Sequence, residues 1–348
     1  MAQSRVSPIG FHLDQRTMTL VQMLRNDDGL EIQDFAQCQV PPPAEPTPEA
    51  KDAAQANALR ALLAEHRFRG RSVVSCLGPQ ELFVQNVRLP KLPPDEVQKV
   101  VQWEAEERLP YPIAEAEVRY LVDGEVRQDA NVKQEVILLA CRQQALARHT
   151  AILEAAGLMP LAIDVEPCAL LRSLQHGDAA AEQLRRVYIH IGEKSTGLIV
   201  ADAKDILFLK YIHTGGQDWD ESIARHMDLP FEEAAKMREL IAAVPVLNDQ
   251  NDVHRAVVEA IRDRLEWLGS EIELCLRYYK VTFRGSPLEK VVLTGSQLAP
   301  WLTSFFAKRL SLPCEIGNPL SAVPQAPPTA LERPGRWALG VGLCLKAI

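Results

Sequence analysis

The segment from Val187 to Val200 carries residue types that can hold a phosphate group. It reads Val-Tyr-Ile-His-Ile-Gly-Glu-Lys-Ser-Thr-Gly-Leu-Ile-Val, so that apolar alternation is interrupted at Gly192 and at the pair Ser195 and Thr196. Alternation predicts two strands, and the turn between them presents backbone N–H groups and hydroxyls, which form a concavity suited to anions. The segment therefore predicts a strand–turn–strand that wraps a nucleotide phosphate.

A second turn of the same kind opens the chain, over residues 9–17. In both turns a histidine, His12 or His190, stands where actin-like ATPases carry an aspartate that holds the metal. Three interpretations stay open: a metal-binding pair, protonated imidazoles that contact phosphate oxygens directly, or polar residues of a site that has lost its nucleotide. The third is preferred and the metal pair least favoured, because imidazole prefers softer ions than Mg²⁺ and no third ligand is evident.

Two further turns are candidates for contact with a nucleoside, Gly215–Gly216 and Gly295–Ser296. Glycine lets a backbone approach a ligand closely, although glycine in a strand-to-helix turn is more often structural. The order of these turns along the chain is more informative than any one of them. The chain contains neither a GxSxG nucleophile turn nor a Rossmann or Walker A glycine pattern.

Composition limits the possible classes of protein. The 348 residues are 47% hydrophobic and 24% charged, with a net charge of −8. This charge argues against nonspecific nucleic-acid binding and against docking on an anionic membrane. Seven separate cysteines without a CxxC pair favour free thiols in a reducing compartment. Since no signal peptide and no apolar run of about 20 residues is visible, we expect a cytoplasmic protein that reaches membranes only through a partner.

Periodicity predicts two α/β lobes, each beginning with two or three adjacent strands and a turn, which indicates a duplicated fold with a central cleft. Glu104, Glu106 and Glu107 are expected on the solvated side of a short helix rather than in catalysis. The main predicted helices cover residues 50–66, 143–156, 218–227, 253–280, 298–310 and 337–347. The main predicted strands cover residues 72–77, 81–88, 116–122, 134–140, 161–165 (buried), 187–192, 197–202, 206–212 and 290–294. A boundary between the halves is expected at residues 176–178.

The chain also resembles a known family, the type IV pilus assembly protein PilM, along nearly its whole length. The related cytoplasmic part of the type II secretion protein GspL and MshI-like proteins are alternatives. The resemblance is carried by the following segments: Leu92-Pro-Pro-Asp-Glu-Val, Trp103-Glu-Ala-Glu, Leu109-Pro-Tyr-Pro-Ile, Leu153-Glu-Ala-Ala-Gly-Leu, Ala162-Ile-Asp-Val-Glu-Pro, Ile212-His-Thr-Gly-Gly-Gln, Phe231-Glu-Glu-Ala-Ala-Lys and Leu293-Thr-Gly.

The resemblance implies an FtsA-like, actin-like fold of four subdomains. Subdomain 1A would comprise residues 1–90 with 145–180 and the C-terminal helix 333–348, and the inserted subdomain 1C would comprise 91–144. Subdomain 2A would comprise residues 185–225 and 287–332, and subdomain 2B would comprise 226–286.

The resemblance further implies a scaffold role in a type IV pilus or type II secretion-like inner-membrane assembly complex. Members of the family bind the cytoplasmic tail of the membrane protein PilN in a groove between 1A and 1C, alongside other assembly components. The protein would then be cytoplasmic and peripheral at the inner membrane through its partners.

The family also implies an ATP or ADP site, which carries over only in part. The matching positions are Gly192, Ser195, Thr196, Gly215, Gly216, Glu233, Lys236 and Gly295. Besides the two histidines, Asp14 replaces a glycine of the first loop and Ser296 replaces the second glycine of a Gly-Gly pair. A carboxylate at position 14 would repel phosphate, so these departures weigh against Mg²⁺-dependent ATP binding and more strongly against hydrolysis. No catalytic or metal-binding residue is therefore assigned, and an active actin-like ATPase or small-molecule kinase using Mg-ATP is the alternative function.

Overall fold

The computed structural model describes residues 5–27, 29–128, 131–176, 184–202, 205–283, 287–323 and 326–347. The expected boundary at residues 176–178 therefore lies, apart from His176, outside the described residues. The chain divides into two units. The first comprises Met1–Val122, Gln134–Ala179 and Asn318–Ile348, and the second comprises Asp123–Lys133 and Ala180–Gly317.

Groups of consecutive strands are separated by helices along the described chain. The strands are β1 (Arg5–Val6), β2 (Ile9–Asp14), β3 (Thr17–Asn26), β4 (Gly29–Gln39), β5 (Ser72–Leu77), β6 (Phe83–Pro90), β7 (Ala116–Gln128), β8 (Asn131–Arg142), β9 (Met159–Val165), β10 (Arg186–Ile191), β11 (Thr196–Ala201), β12 (Ile206–Ile212), β13 (Lys290–Thr294) and β14 (Cys314–Ile316). The α-helices are α1 (Pro48–Glu65), α2 (Pro94–Arg108), α3 (Gln143–Ala155), α4 (Glu166–Gln175), α5 (Gly216–Met227), α6 (Phe231–Ala242), α7 (Asp252–Phe283), α8 (Leu302–Leu310), α9 (Pro328–Leu331) and α10 (Ala338–Cys344).

The same strand order builds both main sheets. In the first unit β2, β3 and β4 form an antiparallel meander, and β5 and then β9 add in parallel on the other side of β2. In the second unit β10, β11 and β12 form the meander, and β13 and then β14 add in parallel beside β10. The repeated order confirms the prediction of a duplicated α/β fold.

A three-stranded sheet in the order β6-β8-β7 is inserted between β5 and α3. The buried face of α2, which carries Val97, Val101 and Ala105, packs on this sheet. Glu106 and Glu107 are exposed and Glu104 is partly so, as their predicted place on the solvated side of the helix requires. Because β6 belongs to this sheet, the boundary expected at residue 91 falls after one of its strands. Residues 318–332, expected in 2A, belong to the first unit.

The C-terminal helix α10 packs against β2 and α4 through glycine contacts. A Cβ at Gly10 would lie 2.2 Å from the carbonyl oxygen of Gly340, and a Cβ at Gly342 would lie 1.8 Å from that of Ala169. A methyl group at either position is therefore sterically excluded. The C-terminal run predicted as a helix over residues 337–347 therefore contains a helix, which packs on the sheet of the first unit.

The long helix α7, predicted over residues 253–280, buries an apolar stripe at helical spacing, with Val257, Ile261, Leu268 and Ile272 in the core of the second unit. Its hydrophobic partners come from the sheet and from the helices α5, α6 and α8. The stripe at helical spacing is thus explained by packing alone.

Two sequence predictions need correction. Residues 161–165 do form a strand, but Leu161 is 53% exposed, because β9 pairs only with β5 and is the last strand on its side of the sheet. The helix expected from residue 298 begins at Leu302, since Pro300 disfavours a helical conformation at the residue before it.

Candidate functional site

The first turn places two candidate side chains on the central strand of the first unit. His12 and Asp14 lie two positions apart on β2, so they point to the same face of the sheet, and both are buried. The turn that follows is tight, with Gln15 at a φ of 51°. A histidine and a carboxylate therefore occupy this turn, in place of the aspartate and glycine that the family resemblance implies.

His12 is hydrogen-bonded to Glu166, with 3.0 Å between Nε2 and Oε1. Glu166 is 3% exposed and is the first residue of α4, directly after β9. The sequence patterns did not identify it, although the segment Ile-Asp-Val-Glu-Pro at a strand end was a usable signal. The pair joins residues 154 positions apart and engages one imidazole nitrogen that could otherwise contact a phosphate.

Carboxylates gather at the end of β5 next to this pair. Burial raises the pKa of the Cys76 thiol well above its usual value, and the negative charges of Glu166, Asp164 and Asp14 raise it further. Negative charge of this kind opposes the approach of an anion. Asp164 is paired with Arg172 at 3.0 Å and with Lys346 at 3.3 Å, so part of this negative charge is compensated within the first unit.

A second imidazole, that of the partly buried His149, lies near the same turn and was not predicted from the sequence. It shares a hydrogen bond of 2.8 Å with the hydroxyl of Ser75. Burial and, to a smaller extent, the nearby His12 together lower the pKa of His149 to about 4. His149 is therefore neutral at physiological pH.

In the second unit the turn between β10 and β11 is built as the sequence predicts. His190, Ser195 and Thr196 are buried, and the backbone N–H of Gly192 donates to the carbonyl of Ser195 at 2.9 Å. The hydroxyl of Thr196 donates to the carbonyl of Thr214 at 2.9 Å. This hydroxyl, a candidate phosphate ligand, thus holds the turn against the segment that leads into α5.

The glycine pair at the start of α5 packs directly on that turn. A Cβ at Gly215 would lie 2.3 Å from the carbonyl oxygen of Gly192, so only glycine fits. The N–H of Gly216 donates to Gly192 at 3.0 Å, and the N–H of Gln217 donates to Glu193 at 2.7 Å. The N–H of Gly215 donates to the side chain of Asp218 at 2.9 Å. Amides at a helix N-terminus that could receive an anion are in this protein satisfied by the chain itself.

The third turn, which follows β13, packs against the end of β10, next to Gly192. Gly295 has a φ of 122°, and a Cβ there would lie 2.2 Å from the carbonyl oxygen of Ile191. A Cβ at Gly216 would lie 2.6 Å from the side-chain oxygen of Gln297, and the hydroxyl of Ser296 accepts a hydrogen bond from the Gln297 amide at 3.1 Å. The structure therefore brings together the turns at 192–196, 215–216 and 295–296.

The structure places the two candidates on α6 on the exposed surface of that helix. Glu233 and Lys236 are exposed, whereas their neighbour Arg238 is buried and was not predicted from the sequence. Its guanidinium donates to Asp220 at 2.6 and 2.9 Å and to the side-chain oxygen of Gln297 at 2.7 Å. Burial raises the pKa of Asp220, and the hydrogen bonds from Arg238 oppose that rise. This network ties α5 and α6 to the third turn.

The donor groups of the turns do not suit a metal ion. Within the described ranges, no group of three or more His, Cys, Asp or Glu side chains is arranged to hold one. The chemistry of the turns also fits Mg²⁺ poorly, because this ion takes oxygen ligands, whereas imidazoles stand at the two expected aspartate positions. The residues present therefore do not fit an Mg²⁺ site of the family type.

Comparison with known proteins places this geometry in context. A family model described as type IV pilus assembly protein PilM matches residues 10–347. The chain is similar to a structure of a PilM-PilN type IV pilus biogenesis complex, with 26% identity, a TM-score of 0.80 and 98% of each chain covered. It is also similar in fold to the ethanolamine utilization protein EutJ of Carboxydothermus hydrogenoformans, with 13% identity, a TM-score of 0.59, and 98% of this chain and 89% of that chain covered. The fold is actin-like. In the described part of the chain, none of the helices has the length and apolar character needed to cross a membrane.

Proposed function

The chain belongs to the family of the type IV pilus assembly protein PilM, and on that premise we propose that it is a cytoplasmic scaffold of the inner-membrane assembly complex. In this role it binds the N-terminal tail of a PilN-like membrane protein and is held at the inner membrane through that tail. The observation that supports the proposal is the likeness, over 98% of both chains, to the structure of a PilM-PilN complex.

The inserted subdomain offers a surface for such a tail. A concavity of about 340 Å³ lies between α2 and β7. It is lined by Gln98, Val101, Gln102, Val118, Arg119 and Tyr120. Polar groups around a partly apolar floor suit an extended peptide, whose backbone needs hydrogen-bond partners. We place the tail against this side of the inserted subdomain.

The second part of the proposal is that the nucleotide site is degenerate. Its support is local: Glu166 engages His12, and carbonyls of the 192–195 turn engage the amides of Gly216 and Gln217. ATP or ADP would therefore have to displace existing hydrogen bonds, with no carboxylate at the positions of His12 and His190 to recruit Mg²⁺. We infer that turnover of ATP is not the function of this chain.

The experiment is a fluorescence anisotropy titration of a labelled synthetic peptide that carries the N-terminal tail of the PilN-like protein encoded with this chain. We expect saturable binding to the wild type and weaker binding to the double variant Gln98→Arg/Gln102→Arg, which fills the concavity from exposed positions. The matched control, Gln250→Arg, changes an exposed loop of the other unit and should bind like the wild type.

Two outcomes would contradict the proposal in different ways. Absence of saturable binding to the wild type overturns the tail-binding role. Equal binding to the wild type and the double variant overturns only the location of the tail at α2 and β7.

A further inference from the structure

Helix α7 also carries a stripe of large apolar side chains that remain largely exposed to solvent, although the ring of Tyr278 lies near that of Phe208, with 6.0 Å between the centroids. Four large side chains are exposed along it: Trp267 at 45%, Leu274 at 56%, Tyr278 at 52% and Val281 at 72%. Their spacings of seven, four and three residues place them on one face of a helix. This face is distinct from the buried stripe through Val257, Ile261, Leu268 and Ile272.

The exposed stripe is long enough to serve as an interface. Together with Ala260, which lies on the same helical face but is partly buried against the core, it extends over residues 260–281, or roughly 30 Å at 1.5 Å per residue. Apolar side chains that line up on a surface in this way mark an interaction site, whereas scattered ones do not.

The residues of the stripe are arranged almost symmetrically about Ser270. Trp267 and Leu274 lie three and four positions from Ser270, on opposite sides. Ala260 and Val281 lie ten and eleven positions from it. Two copies of the helix that run antiparallel about Ser270 would therefore place Trp267 beside Leu274, and Val281 beside the small Ala260.

The charges along α7 follow the same symmetry with opposite signs. Asp263 and Arg277 each lie seven positions from Ser270. Glu259 and Lys280 lie eleven and ten positions from it, and all four side chains are exposed. In an antiparallel pair Asp263 and Glu259 of each helix would face Arg277 and Lys280 of the other. In a parallel pair equal charges would face each other, which is unfavourable.

Among the described residues, the ion pairs that α7 makes within its own unit use other side chains. Arg255 pairs with Asp252, and Arg309 of α8 pairs with Glu266 and Glu273. These contacts lie beside the stripe, since Arg309 also donates to the hydroxyl of Ser270 at 2.7 Å. The central position of the stripe is therefore occupied by a small side chain that is held in place.

From this self-complementary pattern we propose that α7 binds α7 of a second copy of this chain, antiparallel and centred on Ser270. The interface is isologous, as in most homodimers. One helix per copy buries an area at the small end of specific interfaces, so the dimer is weak and dissociates on dilution. The proposal goes beyond the scaffold role and does not depend on it.

Sedimentation velocity of the full chain over a wide range of concentrations tests the proposal. We expect the weight-average mass to rise from that of the monomer, 38.7 kDa, towards twice that value. Trp267→Lys should raise the dimer dissociation constant at least about tenfold, because a central aromatic side chain dominates such interfaces. Leu240→Lys is the matched control, since Leu240 is 70% exposed on α6 and lies outside the stripe.

A charge exchange makes the test specific for the antiparallel arrangement. Asp263→Arg alone and Arg277→Asp alone should each weaken the dimer about tenfold, because each places equal charges opposite one another in both symmetry-related contacts. The double variant Asp263→Arg/Arg277→Asp should restore the dimer. Trp267, Asp263 and Arg277 are all exposed, so circular dichroism is expected to show an unchanged fold.

Three results would overturn the inference. A chain that stays monomeric at all concentrations refutes self-association through α7. A dimer that Trp267→Lys leaves unchanged uses another surface. A dimer that the double charge exchange fails to restore is not antiparallel about Ser270.

Discussion

Replacement of His149 by glutamine should remove a large part of the acid sensitivity of the first unit. Burial lowers the pKa of His149 from 6.5 to about 4, so the unfolded chain binds a proton at a pH where the native protein does not. The stability that depends on the neutral imidazole is complete above pH 6.5 and is lost as the pH falls towards 4.

The magnitude follows from that difference in pKa. At about 1.4 kcal/mol per pKa unit, the difference between 6.5 and about 4 gives a ceiling of about 3 kcal/mol. Between pH 7.5 and pH 5 the linkage relation gives a loss of about 2 kcal/mol. Glutamine can still share a hydrogen bond with Ser75 but does not titrate in this range.

Urea unfolding at pH 7.5, 6 and 5 measures the effect. The wild type should lose about 2 kcal/mol more than His149→Gln between the first and last pH. The control His226→Gln, at an exposed position on α5, should behave like the wild type. If His149→Gln and the wild type lose the same free energy of unfolding on acidification, then His149 is not held neutral by burial and the reasoning is refuted.

Other substitutions test the contacts of the second unit. Gly215→Ala should lower the free energy of unfolding by about 2 kcal/mol in urea titrations, because its Cβ would lie 2.3 Å from the Gly192 oxygen. An unchanged midpoint would show that the two turns are not in contact. Arg238→Met should cost about 3 kcal/mol by leaving Asp220 buried without its partner, and Asp220→Leu in the same chain should recover most of this. Since burial raises the pKa of Asp220, Arg238→Met should lose less free energy of unfolding at pH 5, where protonation neutralises the carboxylate, than at pH 8. A loss independent of pH would argue against a buried carboxylate.

Local patterns were sufficient for the parts of the fold that repeat along the chain. The alternation around Gly192 and the long stripe of α7 predicted β10, β11 and the core helix, because periods of 2 and 3.6 residues are visible in one sequence. The exposure of β9, which was expected to be buried, could not be predicted in this way. Whether Leu161 faces solvent depends on which strand lies at the end of the sheet, and strand order is a property of the whole unit.

The same distinction between local patterns and long-range contacts applies to the candidate site. The glycines at 215, 216 and 295 were found because turns need them locally. Glu166 and Arg238 were missed because their partners, His12 and Gln297, lie 154 and 59 positions away, and no local pattern encodes such a distance. The role of Thr196 could not be inferred either, since a hydroxyl that binds phosphate and one that binds a carbonyl look the same in sequence.

Thermal unfolding of the full chain with ATP, in the presence and absence of Mg²⁺, shows whether the chain has kept a nucleotide site. A ligand that binds only the native state raises its stability with concentration. With His12 engaged by Glu166 and the α5 amides engaged by the 192–195 turn, we expect that Mg²⁺ with ATP does not raise the midpoint above its value with ATP alone. A rise of several degrees that requires both ATP and Mg²⁺ would contradict this expectation and would establish an intact nucleotide site.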